Sequence, residues 1–370
     1  MLTRWVVDPA LALKLLVLPL AFYALWELGS LRLDSLRHLS NPFGQFFLIS
    51  NKISTDSDPR YAKSWADLLF VLYYVVVFSC FRQVVVVLGQ RFAKYLGIHG
   101  RGKIIRFGEQ TYAFVYYSLA SAWGYRVMSE LPTWWYKTEY FWINYPHWDM
   151  KPELKSYYLI QAAYWVQQVL VLVLGMERPR KDYNQLVVHH VVTIWLISWS
   201  YLTNLTLIGH AVYLSMDVPE VFFSFSKLLN YAGMVRAKIV SLALFAYMWT
   251  YFRHYLNLII LWSVWTQFDL IPESARRWAP AEGTYLVGWI KYCIWISLGA
   301  LQLLNLFWYA LVLRILVRAL MTAEADDDRS DDEDEDEGKG SEADDDRSDN
   351  EDEDEGRELG NANLRWRKDH

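Results

Sequence analysis

Cysteine is nearly missing from this chain: 370 residues hold two, Cys80 and Cys293. Both lie in apolar runs and read as buried small hydrophobes, not as the halves of a disulfide framework. Histidine is also scarce. Among eight histidines there is one adjacent pair, His189-His190, while His38, His99, His147 and His370 stand apart. Without repeated histidine boxes or Cys/His metal spacing, a membrane di-iron hydroxylase or desaturase is disfavoured, and no metal is expected. No inverted repeat is evident, so the sequence signature of a secondary transporter is lacking. The first apolar run, about Ala10 to Leu28, has no small-x-small cleavage site and is expected to remain as a membrane span.

What is abundant is apolar and aromatic surface: 54% of residues are hydrophobic and 17% aromatic, in long blocks. The net charge of -5 conceals an asymmetry. Residues 324 to 356 hold 21 acidic and 3 basic residues, a net of -18, and the rest of the chain therefore carries +13. The composition predicts a basic, all-α polytopic membrane body and an acidic tail, disordered by composition.

Hydropathy and turn signals predict about eight transmembrane helices, at 10–28, 66–89, 110–128, 154–174, 185–204, 207–229, 239–265 and 287–318, or seven if one segment is re-entrant. Residues 29–64 form a polar connection, with turns at Asn41-Pro42 and Asp58-Pro59. The Trp-, Tyr- and Pro-rich stretch 130–152 suits an interfacial segment. Basic loops follow the second, fourth and sixth spans, which predicts that both termini are cytosolic. Domain boundaries follow: 1–64 for the first helix and its luminal connection, 65–320 for the principal membrane domain, and 321–370 for the tail.

Ionisable groups inside lipid are costly and default to functional hypotheses. His189 and His190 enter the fifth span about two turns from its cytosolic end, and the sixth span carries Asp217 and Glu220, with Pro219 between them distorting the helix. Helical spacing sets His189, Thr193, Ser200 and Asn204 on one side of the fifth span, with Tyr201 below His190, and Asp217, Glu220 and Ser224 on one side of the sixth. Tyr157, Gln161, Tyr164 and Gln168 form a polar stripe along the fourth. Three such stripes in consecutive spans predict a shared polar cavity, although interhelical hydrogen bonding would use the same residues. Arg253 and His254 interrupt the seventh span, either to meet a polar head group or to pair with a carboxylate. Arg178, Arg180 and Lys181 at the cytosolic entry to the fifth span could attract phosphates or could serve topology alone. Asn204 matches a glycosylation sequon but lies too close to the membrane for easy modification, and reads as a cavity or packing residue.

The tail repeats at a period of 18, EADDDRSDDEDEDEG and EADDDRSDNEDEDEG, with Ser330 and Ser348 in a context suited to an acidophilic kinase. The terminal Arg367-Lys368-Asp369-His370 loosely resembles a dibasic endoplasmic-reticulum retrieval signal.

Taken together, Gln161, Arg180-Lys181-Asp182, His189-His190-x-x-Thr193, Ser200-Tyr201-x-x-Asn204, Gly209, Asp217 and Lys227 resemble the Lag motif of the ceramide synthases, the longevity-assurance group of TLC-domain proteins. The upstream segments DPRYAKSWADLLFV, RFGEQTYAFVYY and FWINYPH resemble fungal members, and the resemblance covers roughly residues 40–320. It implies a multi-pass enzyme of the endoplasmic-reticulum membrane that moves an acyl group from acyl-CoA, a cosubstrate and not a cofactor, to the amine of a sphingoid base. His189, His190, Asp217 and Glu220 then carry over as active-site residues, with Glu220 standing where the family usually has Asp. The family also implies membrane lipids, a small single-span accessory subunit and a dimer as partners, and no nucleic acid. A histidine suits the task of deprotonating the amine, with Asp217 fixing its tautomer; an imidazole nitrogen that first takes the acyl group is an equal alternative at this point. A non-catalytic lipid-sensing or lipid-transport protein is the competing reading.

Overall fold

The computed structural model describes residues 4–6, 8–54, 58–176 and 182–322. The expectations for Arg178, Arg180 and Lys181 and for the acidic tail with Ser330 and Ser348 fall outside the described residues.

The described chain is mostly helical. Helix α1 is Pro9–Ser30, opened by Asp8, whose Oδ1 accepts from the Ala10 and Leu11 amides at 2.9 and 3.3 Å, and by a proline at its first position. Helices α2 (Ala66–Tyr95) and α3 (Arg101–Ser129) follow. Arg91 and Lys94 end α2, and Arg101, Lys103 and Arg106 begin α3. The sequence suggests a basic loop here, but these basic residues are helical and the connection is only residues 96–100, because Lys and Arg are good helix formers wherever lipid does not penalise them. Helix α4 is Pro152–Val173, α5 is Tyr183–Leu202 and α6 is Thr206–Tyr231. Helix α7, Val235–Trp249, passes through a π-helical turn, Thr250–Leu256, into α8, Asn257–Thr266; α9 is Ile290–Thr322.

Among the described residues, four helical stretches are both long and apolar enough to cross a membrane: Pro9–Ser30, Ala66–Tyr95, Tyr183–Leu202 and Ile290–Arg318. The other long helices are more polar and bury, among other groups, Lys155, Gln161 and Gln167 on α4 and His210 and Asp217 on α6. Helices α2 and α3 meet backbone to backbone. A Cβ at Gly108 would lie 2.7 Å from the Val86 carbonyl oxygen, and one at Gly89 would lie 2.8 Å from Thr111, so both contacts require glycine. Cys80 is half-buried, but Cys293 is exposed on α9, contrary to the reading of both as core residues.

One end of the bundle is closed by three connections. A short antiparallel pair, Tyr61–Ala62 with Asp149–Met150, ties the segment before α2 to the segment before α4. Trp142 packs against Phe268 with ring centroids 5.5 Å apart, and the Tyr145 hydroxyl donates to the Thr203 carbonyl at 2.8 Å. The aromatic stretch 130–152 is therefore only partly an interfacial belt. Trp135 and Trp148 are exposed, whereas Phe141, Trp142 and Tyr145 fill the interior of the cap. Asn204 sits in this cap in the left-handed conformation (φ 63°), and its Nδ2 donates to the Gly283 carbonyl at 2.8 Å.

A buried ion pair locks the cap to the bundle. Lys155 Nζ lies 2.8 Å from Asp67 Oδ1 and donates to the carbonyls of Ser50 and Ala62 at 2.9 and 2.7 Å. Asp67 also accepts from the Ser50 hydroxyl (2.9 Å), the Ser64 amide (2.7 Å) and the Tyr201 hydroxyl (2.8 Å). Every charge is matched, as burial demands. Lys155→Met leaves Asp67 without its counter-charge and should cost about 3–5 kcal/mol. Thermal unfolding of the purified protein in detergent reads the loss, and an unchanged midpoint would contradict it.

Lys63, in the same cap, donates to the Leu202 carbonyl at 2.6 Å and lies over the Tyr285 ring at 5.6 Å. Burial lowers its pKa from 10.5 to about 8. Below about pH 8 the ammonium is charged in both folded and unfolded chains, and the folded state carries the desolvation penalty. Between pH 8 and 10.5 the unfolded chain holds more protons, so the penalty fades as pH rises. The melting temperature of the wild type relative to Lys63→Gln should therefore climb from about pH 7.5 to about pH 10. A pH-independent difference would contradict it.

Candidate active site

Helices α3, α4, α5, α6 and α9, with the end of α7 and the π turn, enclose a cavity of about 300 Å³. His189, His190, Thr193, Tyr164, Gln168, Asp217, Glu220 and Ser224 all line it. Adjacent residues of a helix point about 100° apart, yet both histidines of the pair line the cavity. It wraps the face of α5, and both rings reach it, 5.6 Å apart and nearly perpendicular. Trp165 from α4 packs edge-on against both, at 5.5 and 5.9 Å.

His190 is 7% exposed, and its Nδ1 lies 2.8 Å from the Leu186 carbonyl. A carbonyl only accepts, so Nδ1 carries the hydrogen and a neutral ring keeps its lone pair on Nε2. His189 Nδ1 faces the Thr193 hydroxyl at 3.5 Å, a long contact, and its ring is packed between Trp165 and Trp308 of α9.

Asp217 is 1% exposed. Its Oδ2 accepts from Gln161 Nε2; the same amide nitrogen donates to the Tyr157 hydroxyl at 2.9 Å, and the Tyr116 hydroxyl donates to Gln161 Oε1. The Tyr116 ring is stacked on Tyr164, and Gly124 leaves room for Tyr157, whose hydroxyl would lie 2.6 Å from a Cβ there. Three helices thus fix one carboxylate.

Glu220 is held differently. Pro219 lacks the donor for the Ser215 carbonyl and opens the α6 ladder. The next carbonyl, Met216, is taken by Arg253 Nη2 at 2.6 Å, which also reaches Glu220 Oε1 at 2.7 Å. Arg253 lies over the Trp249 ring at 4.1 Å, and the π turn sets its direction toward α6. Of the two roles open to Arg253, the structure selects pairing with a carboxylate. His254 faces away, with its Nδ1 2.7 Å from Gln302 Nε2.

Four residues expected at the cavity do not line it. Tyr157 and Gln161 lie behind Asp217 as its support. Tyr201 turns to Asp67, and Asn204 holds the cap. Helical phase told which face each residue shares but not how deep the cavity runs on that face. Ser224 lines the cavity, but its hydroxyl donates to the Glu220 carbonyl at 2.7 Å. Sequence reasoning passed over Glu109, Gln110, Trp165, Asn305 and Trp308, all cavity residues. The polar pair Glu109-Gln110 at the mouth of an apolar helix was a readable signal; the tryptophans, among nineteen, gave none. Among the described residues no group of three His, Cys, Asp or Glu side chains is gathered for a metal ion.

A family model described as the TLC domain matches residues 106–314, a range that includes every residue of this cavity. The chain is 37% identical over 303 residues to sphingosine N-acyltransferase lac1 of Schizosaccharomyces pombe, covering 79% of this chain and 76% of that protein. It is 39% identical over 302 residues to ceramide synthase LAG1 of Saccharomyces cerevisiae, covering 79% and 70%. A mammalian relative, ceramide synthase 4 of Bos taurus, is 31% identical over 236 residues, covering 64% and 56%. With more than half its length matched by the family model and two fungal relatives aligned over most of both sequences, the chain belongs to the TLC-domain family.

Proposed function

We propose that the protein is a ceramide synthase, a transferase that moves an acyl group from acyl-CoA to the amine of a sphingoid base. The observation that carries this reading is a single cavity in an apolar helical body that gathers two histidines and a fixed carboxylate, in a chain similar to sphingosine N-acyltransferases. The competing lipid-sensing reading has no need of that constellation.

The chemistry follows from the atoms. A sphingoid amine is mostly protonated near neutral pH and must lose a proton before it can attack. The Nε2 lone pair of His190 is oriented by the Nδ1–H bond to Leu186 and takes that proton. The amine nitrogen then bonds to the thioester carbonyl carbon, the carbon–sulfur bond breaks, and the CoA sulfur leaves with the proton that the imidazolium returns. The second proton shed by the attacking nitrogen passes through the freed imidazole to solvent, so that amide, free CoA and one proton are the products. His189, confined between two indoles, is held against the same space, and Asp217 supplies the negative charge that favours the transient imidazolium. Leu196, Ile197, Ile208, Ile294 and Leu298 give part of the cavity an apolar wall suited to a hydrocarbon chain. No cofactor enters this scheme.

The membrane arrangement we infer has eight spans, with α7, the π turn and α8 acting as one of them. It has both termini in the cytosol and the cap on the luminal side of the endoplasmic reticulum. Residues 65–320 form the catalytic domain. Basic residues at the cytosolic end, Arg178, Arg180 and Lys181 with them, would attract the CoA phosphates. Membrane lipids cover the exposed apolar faces of α1 and α9. An accessory single-span subunit and a second copy of the chain are the protein partners this reading admits, and Ser330 and Ser348 its phosphorylation sites.

Microsomes supplied with a panel of acyl-CoAs and dihydrosphingosine or phytosphingosine should form ceramide. His189→Ala, His190→Ala and Asp217→Ala, at matched expression, should each lose about a hundredfold or more. Absence of product from well-expressed wild type, with any accessory subunit present, would sink the transferase reading; retained activity in the variants would sink the site.

Glu220 enters as the partner of Arg253. Arg253→Met should destabilise the fold by about 3 kcal/mol, since it strands a carboxylate, and Arg253→Met combined with Glu220→Gln should recover most of that. Thermal melts of the wild type and the two variants measure it, and equal loss in the single and double variants would show that the pair is not the cause.

A further inference from the structure

Asp182 stands immediately before α5, where an aspartate ordinarily accepts hydrogen bonds from the helix's first amides. Here its side chain makes no such cap. It is buried, and its Oδ2 accepts from the indole Nε1 of Trp308, 126 residues away on α9, at 3.0 Å. Trp308 is buried as well, and its ring meets His189 edge to face at 5.3 Å and 87°. Trp165 closes the other side of the same imidazole at 5.5 Å and 75°. His189 makes one long hydrogen-bond contact, the 3.5 Å approach to Thr193, so its orientation rests largely on these two rings. An indole can rotate about its side-chain bonds unless its N–H is tied, and a buried indole N–H seeks an acceptor.

We infer that Asp182 is a positioning residue that acts through Trp308 to hold the His189 ring in its working orientation. The anchor is diverted from helix capping to a contact that ends on a cavity histidine. Trp308, itself part of the cavity wall, transmits it, and Asp182 lies outside that wall. The inference rests on the proposed acyl transfer, for which His189 must face the substrates. The same link also joins the entry of α5 to α9, so a purely structural role is the rival explanation, and the test has to separate the two.

The test uses the full-length protein with its accessory subunit, if it has one, and steady-state kinetics for acyl-CoA and sphingoid base. Asp182→Ala and Trp308→Phe should each lower kcat about tenfold with both KM values within about twofold, the pattern of an interaction felt in the transition state. The double variant should lose no more than either single one, because both cut the same link. Asp182→Asn keeps an oxygen that can accept from the indole and should restore kcat to near the wild-type value. Tyr309→Phe, the control, removes the 2.6 Å bond between α9 and Thr250 one residue away and should leave kcat unchanged. Losses that multiply to about a hundredfold in the double variant would overturn the inference, since independent sites add in free energy. So would an Asp182→Asn variant as impaired as Asp182→Ala, or a Tyr309→Phe variant as impaired as Trp308→Phe. If wild type itself formed no ceramide, the proposed activity would fall first, and that outcome is distinct from any of these.

Discussion

The carboxylate of Asp217 cannot be left alone in an apolar bundle, and the site is arranged around that constraint. Its Oδ2 accepts from the Gln161 amide, which is itself fixed by the hydroxyls of Tyr116 and Tyr157. A polar group in this setting is tolerated only when its hydrogen bonds are met, and each added partner removes a degree of freedom. The result joins α3, α4 and α6 at one point. It sets that carboxylate on the wall of the cavity that the two histidines of α5 also line.

The second carboxylate obeys the same rule by another route. Glu220 follows a proline, and the backbone group loosened there is taken up by Arg253 along with the carboxylate itself. The Glu220 side chain spans the distance to a guanidinium on a neighbouring helix. The π turn in the α7–α8 stretch adds the extra residue that turns Arg253 toward α6 while the adjacent His254 joins Gln302. Proline in one helix and a π turn in the next are thus two halves of one local distortion.

The two ends of the bundle do different work. One end is closed by residues 50–54, 58–64, 130–151 and 267–289, tied together by the Lys155–Asp67 pair and by Tyr145 and Asn204. At that end the polar groups are spent on structure. The histidines lie toward the opposite end, near the entry of α5, where the polar cavity residues Glu109, Gln110 and Lys227 also stand. A polar headgroup and a hydrocarbon tail can then be served by opposite parts of one cavity.

Hydropathy and turn signals together located the long helices, since a long, mostly apolar run has few alternatives to a helix. The histidine pair and Asp217 stood out because ionisable groups in such runs are expensive and seldom incidental. Helical phase also grouped Tyr164, Gln168, His189, Thr193, Asp217 and Glu220 on faces that do converge. What periodicity could not supply was depth and partner. Tyr157 and Gln161 share the stripe of Tyr164 yet lie behind the cavity wall; Tyr201 and Asn204 share the histidine helix yet serve the cap. The ion pair between Lys155 and Asp67 and the link from Asp182 to Trp308 join residues 88 and 126 positions apart. No local pattern encodes such pairs. Sequence determined which segments are helices and which side chains are too costly to be idle, because both are properties of the chain against its solvent. Only the tertiary structure decided which of those side chains face substrate and which face each other, because that depends on how helices pack and where the space between them is left open.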